Sequence, residues 1–228
     1  MIKITNTEVF GWEAAIRGMR NPMNSWEKSD SGMCYGADGF KDCTVNALGK
    51  CPRCDEFTRD VFCVGKNDMK LMKQLSKAGS DHGKFLRMIN VTVDLYAPLY
   101  WWKEFDTYKV GTVANSCSTM HKIHAKEFRI EDFSCEHLLQ GPVDDLWNIM
   151  DTLNYYRDLY LKEKDKTYWW QMIQLLPSSY NQLRTVQLNY QVLKSMYHAR
   201  KNHKLDEWHT FCEWCEGLPY FKELCIEE

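Results

Sequence analysis

The stretch from Asp94 to Ile123 constrains the fold of this chain more than any other part, because it joins aromatic bulk, charge and small hydroxyl side chains in one window. Its first half places charged residues among large aromatic ones, which an ordinary core helix does not do; these residues are Trp101, Trp102, Lys103, Glu104, Phe105, Asp106, Tyr108 and Lys109. Its second half, residues 111–120, has no apolar period and is rich in small polar residues, which supply backbone freedom and short hydrogen-bonding groups.

Two interpretations of this window stay open. Residues 111–120 suit a loop that closes over a polar ligand, such as a nucleotide or a flavin. The alternative is a helix followed by a polar loop, both with a structural role only. The pair Trp101–Trp102 is equally compatible with a core position, a subunit interface or a wall on which a ligand ring stacks.

Length and charge narrow the class of protein. A chain of 228 residues is long enough for one large domain, or for one domain with an insertion. Its net charge of −2 provides no general electrostatic case for binding nucleic acid or a membrane surface. No apolar run approaches the roughly 20 residues of a membrane helix, and the first residues lack the layout of a signal peptide. We therefore expect a cytoplasmic protein with reduced cysteines.

Regular periodicity disappears between residues 24 and 66, where five cysteines lie among Gly, Asp and Lys residues. The pair Cys51 and Cys54 forms a C-x-x-C knuckle, flanked by Cys43 and Cys63. Four thiolates in this order predict a tetrahedral zinc site, which would give a segment with little core of its own a reason to fold. The spacing is not that of a standard zinc ribbon, and Cys34 is left over, so buried thiols remain the alternative.

Apolar periodicity predicts most of the regular elements. We expect strands at residues 2–7 and 89–94, and helices at residues 8–20, 67–78 (capped by Asn67), from Pro142 onward, 168–176, and twice more in the C-terminal third. Arg17 and Arg20 end the first helix and are read either as phosphate ligands or as solvated charges at a helix C-terminus. In the last helix, three residues lie at near-helical spacing: His209, Cys212 and Cys215. They are either metal ligands or part of one packed apolar face.

The order of these elements resembles a known family. A helix that ends at Ala78-Gly79 is followed by Asp81-His82 and Phe85-Leu-Arg87, a strand, the aromatic window and the loop NSCSTM. Further along the chain come Leu176-Pro177, Tyr180, Thr185, Asn189 and Arg200. Together they resemble the flavin-dependent thymidylate synthase (ThyX) family, especially its divergent phage and bacterial relatives. The resemblance covers residues 67–219, and the first helix also fits. Residues 1–228 are then one ThyX-like domain, with residues 24–66 as a cysteine-rich insertion.

The family hallmark, R-H-R-x-x-S-x-N-E-x-S-x-R-Y, is matched in part. Asn115 and Ser118 match, whereas the family's glutamate, arginine and tyrosine are replaced by Ser116, Met120 and His121. The leading R-H-R falls on Tyr108-Lys109-Val110, or on Thr107-Tyr108-Lys109 if one residue is inserted. The family's G-H-x-S-P-F-E-H stretch corresponds loosely to residues 79–87, with Arg87 at the final histidine. Asn189 matches the asparagine of N-A-R, and Arg200 matches a later arginine that faces the substrate phosphate in the family.

The resemblance implies a mixed α/β (α+β) fold in which a mixed sheet packs with long helices, a homotetramer, FAD held between subunits, and dUMP or a related pyrimidine deoxynucleotide as substrate. Reduced flavin would supply the hydride, methylenetetrahydrofolate the carbon, and NADPH the electrons that refill the flavin. The cofactor carries the hard chemistry, so no catalytic side chain is assigned. The residues expected to bind substrate are Asn115, Ser116, Ser118 and Arg200. Those expected to bind the cofactor are His82, Arg87, Tyr108, Lys109, Thr112 and Asn189.

The departures from the hallmark leave room for other readings. Lys109 can replace a phosphate-binding arginine as a point charge without its bidentate fork, and Arg184 and Lys194 are further candidates. The alternative to an enzyme is a non-catalytic descendant of the fold that binds a nucleotide or a protein partner. A zinc-stabilised interaction module on the cysteine-rich segment is compatible with either.

Overall fold

The computed structural model describes residues 2–34 and 61–227. Within these ranges the chain forms the strands β1 (Lys3–Phe10), β2 (Gly32–Cys34), β3 (Val61–Cys63), β4 (Asn90–Pro98), β5 (Val113–Ser116) and β6 (Asn181–Asn189). The α-helices there are α1 (Trp12–Arg20), α2 (Lys66–Lys77), α3 (Leu99–Phe105), α4 (Gln140–Glu163), α5 (Lys166–Leu175), α6 (Tyr190–Arg200) and α7 (Asp206–Glu216). The predicted combination of a sheet with long helices is confirmed.

The larger described sheet has the strand order β1-β4-β6-β5. Strand β5 pairs antiparallel with β6, with Val113 opposite Gln187 and Ser116 opposite Arg184. Strand β4 alternates buried and half-buried residues along its length, as the sequence pattern predicts for a half-buried strand, but it continues to Pro98. Strands β2 and β3 form a separate antiparallel pair.

The described residues group into two compact units. The first lies within Met1–Glu8, Thr92–Gln187 and His198–Trp214, and the second within Val9–Val91, Leu188–Tyr197 and Cys215–Glu228. The prediction of one domain with an insertion at residues 24–66 stays a prediction, and most of that segment lies outside the described residues. No helix in the described ranges has the length and apolarity needed to span a membrane.

Aromatic packing dominates the core of the first unit. Trp101 and Trp102 are completely or almost completely buried, and the Trp101 ring lies 4.8 Å from the ring of Trp208 and 5.8 Å from that of Phe211. Of the three roles open to the tryptophan pair, the structure selects the core. A second cluster joins α4 and α5 to the preceding loop; its buried members are Ile123, Phe128, Phe133, Leu146, Met150, Leu153 and Met172.

The second unit contains a buried ion pair. The Arg20 Nε lies 2.7 Å from an Asp68 carboxylate oxygen, and both side chains are almost inaccessible. Asp68 also accepts hydrogen bonds from the hydroxyls of Ser29 and Ser31. Burial alone would raise the pKa of Asp68, but hydrogen bonds from Ser29, Ser31 and Arg20 outweigh it and lower that pKa. Arg20 is therefore neither a phosphate ligand nor a solvated helix-end charge.

Three local predictions were wrong. Asn67 does not cap α2, because the Asp30 carboxylate accepts the backbone N–H groups of Asn67 and Asp68 instead. The first helix begins at Trp12, since β1 runs to Phe10 and Gly11 turns the chain with a φ of +94°. Part of the expected loop 111–120 is strand β5, which pairs with the unpredicted strand β6.

Candidate functional site

Two carboxylates at the end of α3 each hold an arginine from a distant part of the sequence. Glu104 lies on the last turn of α3, and its Oε2 is 2.5 Å from Nη1 of Arg200. Asp106 caps the same helix, and its Oδ1 is 2.7 Å from Nη1 of Arg184. The short helix therefore holds two guanidinium groups, and one of them, that of Arg184, lies opposite Ser116 on β5.

Arg200 is held on several sides. Its Nε donates a hydrogen bond of 3.0 Å to the Tyr108 hydroxyl, and its guanidinium carbon lies 5.0 Å from the ring centre of Trp208. His203 also contacts the Glu104 carboxylate, with 3.1 Å between Nε2 and Oε2. No residue in the described ranges accepts a hydrogen bond from the Arg200 Nη2 group. The arginine is thus oriented by protein contacts and keeps one amino group for another acceptor.

Arg184 is oriented in a similar way. Its guanidinium carbon lies 4.1 Å from the ring centre of Trp102, and its Nε donates to the Gln182 side-chain oxygen at 2.9 Å. Gln182 in turn donates to the Cys117 carbonyl at 2.7 Å, inside the hallmark loop. Sequence reasoning named Arg184 only as a substitute phosphate ligand and missed Glu104, Asp106 and Gln182. The missing signal is the pairing of β5 with β6, which no local pattern contains.

Strand alternation separates two predicted substrate ligands. Ser116 lies opposite Arg184 and Asn115 opposite Thr185, so the two hallmark side chains project from opposite faces of the sheet. On the Asn115 face, a polar row continues across the sheet. The Thr185 hydroxyl donates to Asp94 at 2.6 Å, and the Asn6 amide donates to the same carboxylate at 2.7 Å. These hydrogen bonds, that of Thr185 first, lower the pKa of Asp94.

The other predicted residues of the first unit lie in the loops around β5. The Thr112 hydroxyl donates to the Tyr108 carbonyl and so closes the turn before the strand. The Ser118 hydroxyl accepts the backbone N–H of His121 at 2.8 Å and that of Met120 at 3.2 Å, forming a turn after the strand. Lys109 is exposed and makes no ion pair within the described ranges. Of these side chains, Lys109 is thus an accessible positive charge, and the hydroxyls of Thr112 and Ser118 already make local bonds.

Three predicted cofactor residues belong to the second unit. His82 and Arg87 are exposed, immediately before and at the end of the short 3-10 helix Gly83–Arg87. The Asn189 side-chain oxygen accepts the backbone N–H of Val192 at 3.1 Å, so this residue caps the start of α6. Lys194 donates to the carbonyl and hydroxyl oxygens of Ser76, so its ammonium group already has two local acceptors.

The predicted zinc site lies mostly outside the described residues. This applies to Cys43, Cys51 and Cys54, whereas Cys63 is buried in β3. Among the described residues, no group of three or more His, Cys, Asp or Glu side chains is arranged to hold a metal ion. In α7, Cys212 and Cys215 are buried, which agrees with the packed-face reading of that helix.

The second unit also contains an open cavity of about 250 Å³, lined by Glu13, Ile16, Arg17, Arg20, Trp26, Ser29, Ser31, Gly32 and Phe62. Arg17 is exposed at this cavity, whereas Arg20 is bound by Asp68. None of the predicted substrate or cofactor residues lines it.

Comparison with solved structures identifies the fold. The chain is similar to a thymidylate synthase X from Helicobacter pylori solved with FAD and dUMP, with a TM-score of 0.65, 13% identity, and coverage of 99% of this chain and 98% of that one. A second structure of the flavin-dependent enzyme from the same organism, complexed with FAD and dUMP, gives a TM-score of 0.63 at 14% identity over 98% of both chains. The chain has the ThyX fold. No protein-family model and no curated protein sequence matches it.

The ThyX fold agrees with the combination of a sheet and long helices that the resemblance implied. At this level of identity the likeness establishes the architecture, and the role of each ThyX-like position must come from its own contacts.

Proposed function

We propose that this chain is a divergent flavin-dependent thymidylate-synthase-like enzyme that transfers a one-carbon unit to dUMP or a related pyrimidine deoxynucleotide. One observation carries the proposal: on a ThyX fold, Arg200 is held by Glu104, Tyr108 and Trp208 and keeps its Nη2 group for an outside acceptor. The two similar structures contain FAD and dUMP, and the similarity extends over 98–99% of this chain.

The residues around Arg200 fit a ligand that carries phosphate. An oriented guanidinium with unused donors matches a phosphate oxygen, and the exposed Lys109 adds a second positive charge. Ser116 offers a hydroxyl from the same face as Arg184, and we assign it to the substrate. Ser118 and Asn115 remain proposed substrate residues, although Ser118 already accepts two backbone N–H groups.

FAD is the proposed cofactor. The proposed cofactor residues are Tyr108, Lys109 and Thr112 in the first unit and, separately, His82, Arg87 and Asn189 in the second unit. His82 and Arg87 are accessible. Asn189 keeps its amide N–H donors for a ligand, because only its oxygen is used in capping α6. When bound and reduced, the flavin would supply hydride to the one-carbon unit.

The protein's own part in the reaction is positioning. Arg200 would fix the nucleotide phosphate, and the aromatic core behind it keeps the guanidinium from rotating away. Methylenetetrahydrofolate and NADPH are the proposed co-substrates, and a homotetramer is the proposed assembly.

The first test is an absorbance spectrum of the purified protein, before and after addition of FAD and during titration with dUMP. Bound flavin whose spectrum changes with dUMP supports the enzyme, and hydrogen exchange at the pyrimidine C5 carbon then tests turnover. Absence of flavin binding at micromolar protein would sink the proposal. The variant Arg200→Gln should weaken dUMP binding while the flavin remains bound.

A second candidate is a nucleotide-binding protein without turnover. It is favoured by Ser116, Met120 and His121, which stand where the hallmark has glutamate, arginine and tyrosine. This candidate predicts dUMP binding without exchange of the C5 hydrogen. Zinc bound through the cysteine-rich segment is a separate proposal, and the metal content of the purified protein tests it.

A further inference from the structure

We propose that Arg184 is a second anion-binding residue and takes a phosphate oxygen of the ligand beside Ser116. The sequence alone made Arg184 only a further candidate to replace a phosphate-binding arginine, because it lies on β6 and outside the hallmark. The identity of the ligand, a pyrimidine deoxynucleoside monophosphate, rests on the proposed function. The anion-binding role itself rests on the contacts of Arg184.

The guanidinium of Arg184 is fixed on three sides. Trp102 lies beneath it at 4.1 Å, Gln182 accepts from Nε, and Asp106 accepts from Nη1. Gln182 is 7% exposed and Trp102 is 1% exposed, so two of these contacts come from buried side chains. A surface ion pair contributes little to stability. A surface ion pair alone would therefore not require the additional contacts of Arg184 with Trp102 and Gln182.

Within the part of the chain that the structure describes, one amino group of this guanidinium has no protein acceptor. The Arg184 side chain is only 14% exposed, and no residue in the described ranges accepts from Nη2. This amino group is not among the buried unpaired polar atoms of the described residues, so it reaches solvent, and an anionic oxygen would bind it more strongly than water does. The geometry therefore leaves a place for one ligand oxygen at Nη2.

The neighbouring groups connect this position to the loop after β5. Ser116 is the direct cross-strand partner of Arg184, so both side chains project from the same face. Gln182 bonds Arg184 through its oxygen and the Cys117 carbonyl through its nitrogen. Gln182 is thus a positioning residue that holds the Arg184 guanidinium and the loop after β5 in a fixed relative position.

Binding of dUMP and of deoxyuridine to the FAD-loaded protein, measured by calorimetry, tests the proposal. Arg184→Gln should raise the Kd for dUMP by about 10- to 100-fold, the effect of losing a charged hydrogen bond. Its Kd for deoxyuridine, which lacks the phosphate, should not change. Arg129→Gln is the matched control, because this arginine of the same unit has a side chain that is 73% exposed. If Arg184→Gln raises the Kd for dUMP and for deoxyuridine by the same factor, or raises neither, the proposal is overturned.

A second variant keeps the test valid if Arg184→Gln fails to fold. Asp106→Asn removes the carboxylate that shares the guanidinium and repels a phosphate, so dUMP should bind several-fold more tightly. Unchanged or weaker binding contradicts the proposal.

Inorganic pyrophosphate separates this inference from the proposed function. If the wild type does not bind dUMP but is thermally stabilised by pyrophosphate, and Arg184→Gln abolishes that stabilisation, the anion site stands and the enzyme assignment fails. If the wild type binds neither dUMP nor pyrophosphate, the anion site is refuted.

Discussion

Ser116 and Arg184 lie directly opposite each other on β5 and β6, and their side chains project from one face of the sheet. The adjacent hallmark residue, Asn115, projects from the other face beside Thr185. The two faces differ in chemistry. One contains an oriented guanidinium, and the other contains a row of neutral donors around the Asp94 carboxylate.

Substitution of the two hallmark side chains should therefore have unequal effects. Ser116→Ala should weaken dUMP binding by about 5- to 20-fold through loss of one hydrogen bond in the phosphate site. Asn115→Ala should weaken dUMP binding less than Ser116→Ala does, since the Asn115 side chain lies on the face opposite Arg184. Calorimetric Kd values for the two variants check this. The reverse order would place the ligand on the Asn115 face.

Cys117 offers a probe of ligand binding at the same loop. Its thiol is exposed, whereas that of Cys135 is only half-buried and serves as an internal reference. We expect dUMP to slow alkylation of Cys117 several-fold and to leave the rate at Cys135 unchanged. Peptide mass spectrometry after timed labelling gives the two rates separately. Equal rates at Cys117 with and without saturating dUMP would show that the nucleotide does not cover this loop.

Asn189 should affect stability as well as ligand binding. Its side-chain oxygen caps α6, so Asn189→Ala should lower the free energy of unfolding by about 1 kcal/mol. Asn189→Ser restores a cap and should recover most of that loss. Urea denaturation of the three proteins measures the difference. If Asn189→Ser recovers the stability but binds FAD as weakly as Asn189→Ala, the amide contacts the cofactor in addition to capping the helix.

The buried pair of Arg20 and Asp68 should make stability depend on pH. Asp68→Asn should lower the free energy of unfolding by about 3 kcal/mol near neutral pH, because it leaves Arg20 buried without a charged partner. The folded state lowers the pKa of Asp68 below its unfolded value. Its contribution is therefore complete above the unfolded pKa, about 4, and declines as pH falls through the lower folded pKa.

Chemical denaturation of the wild type and Asp68→Asn across pH 2–7 tests this dependence. The gap between the two proteins should be constant from pH 5 to 7 and should narrow toward pH 2. A gap that widens on acidification would mean that the folded state does not lower the Asp68 pKa.

Local patterns predicted the elements whose stabilisation is local. The alternation of apolar and polar residues around Val93 predicts β4. Gly79, with its φ of +101°, ends helix α2, in which Met72 is buried. The resemblance to ThyX rested on the order of such elements, which is why the fold could be predicted. The same resemblance proposes Arg200 as a substrate residue, because it matches a later arginine of the family.

Tertiary structure decided which side chains meet. Asp30 caps α2 in place of Asn67 only because the chain returns from a distant segment. Ser116 meets Arg184 only because β5 pairs with β6 in one register, and a shift of one residue would bring Asn115 to that position instead. The sequence by itself determined the elements and their order, since helix and strand periods are local properties. Strand register and buried ion pairs join residues far apart in sequence, and packing of the folded chain alone selects them.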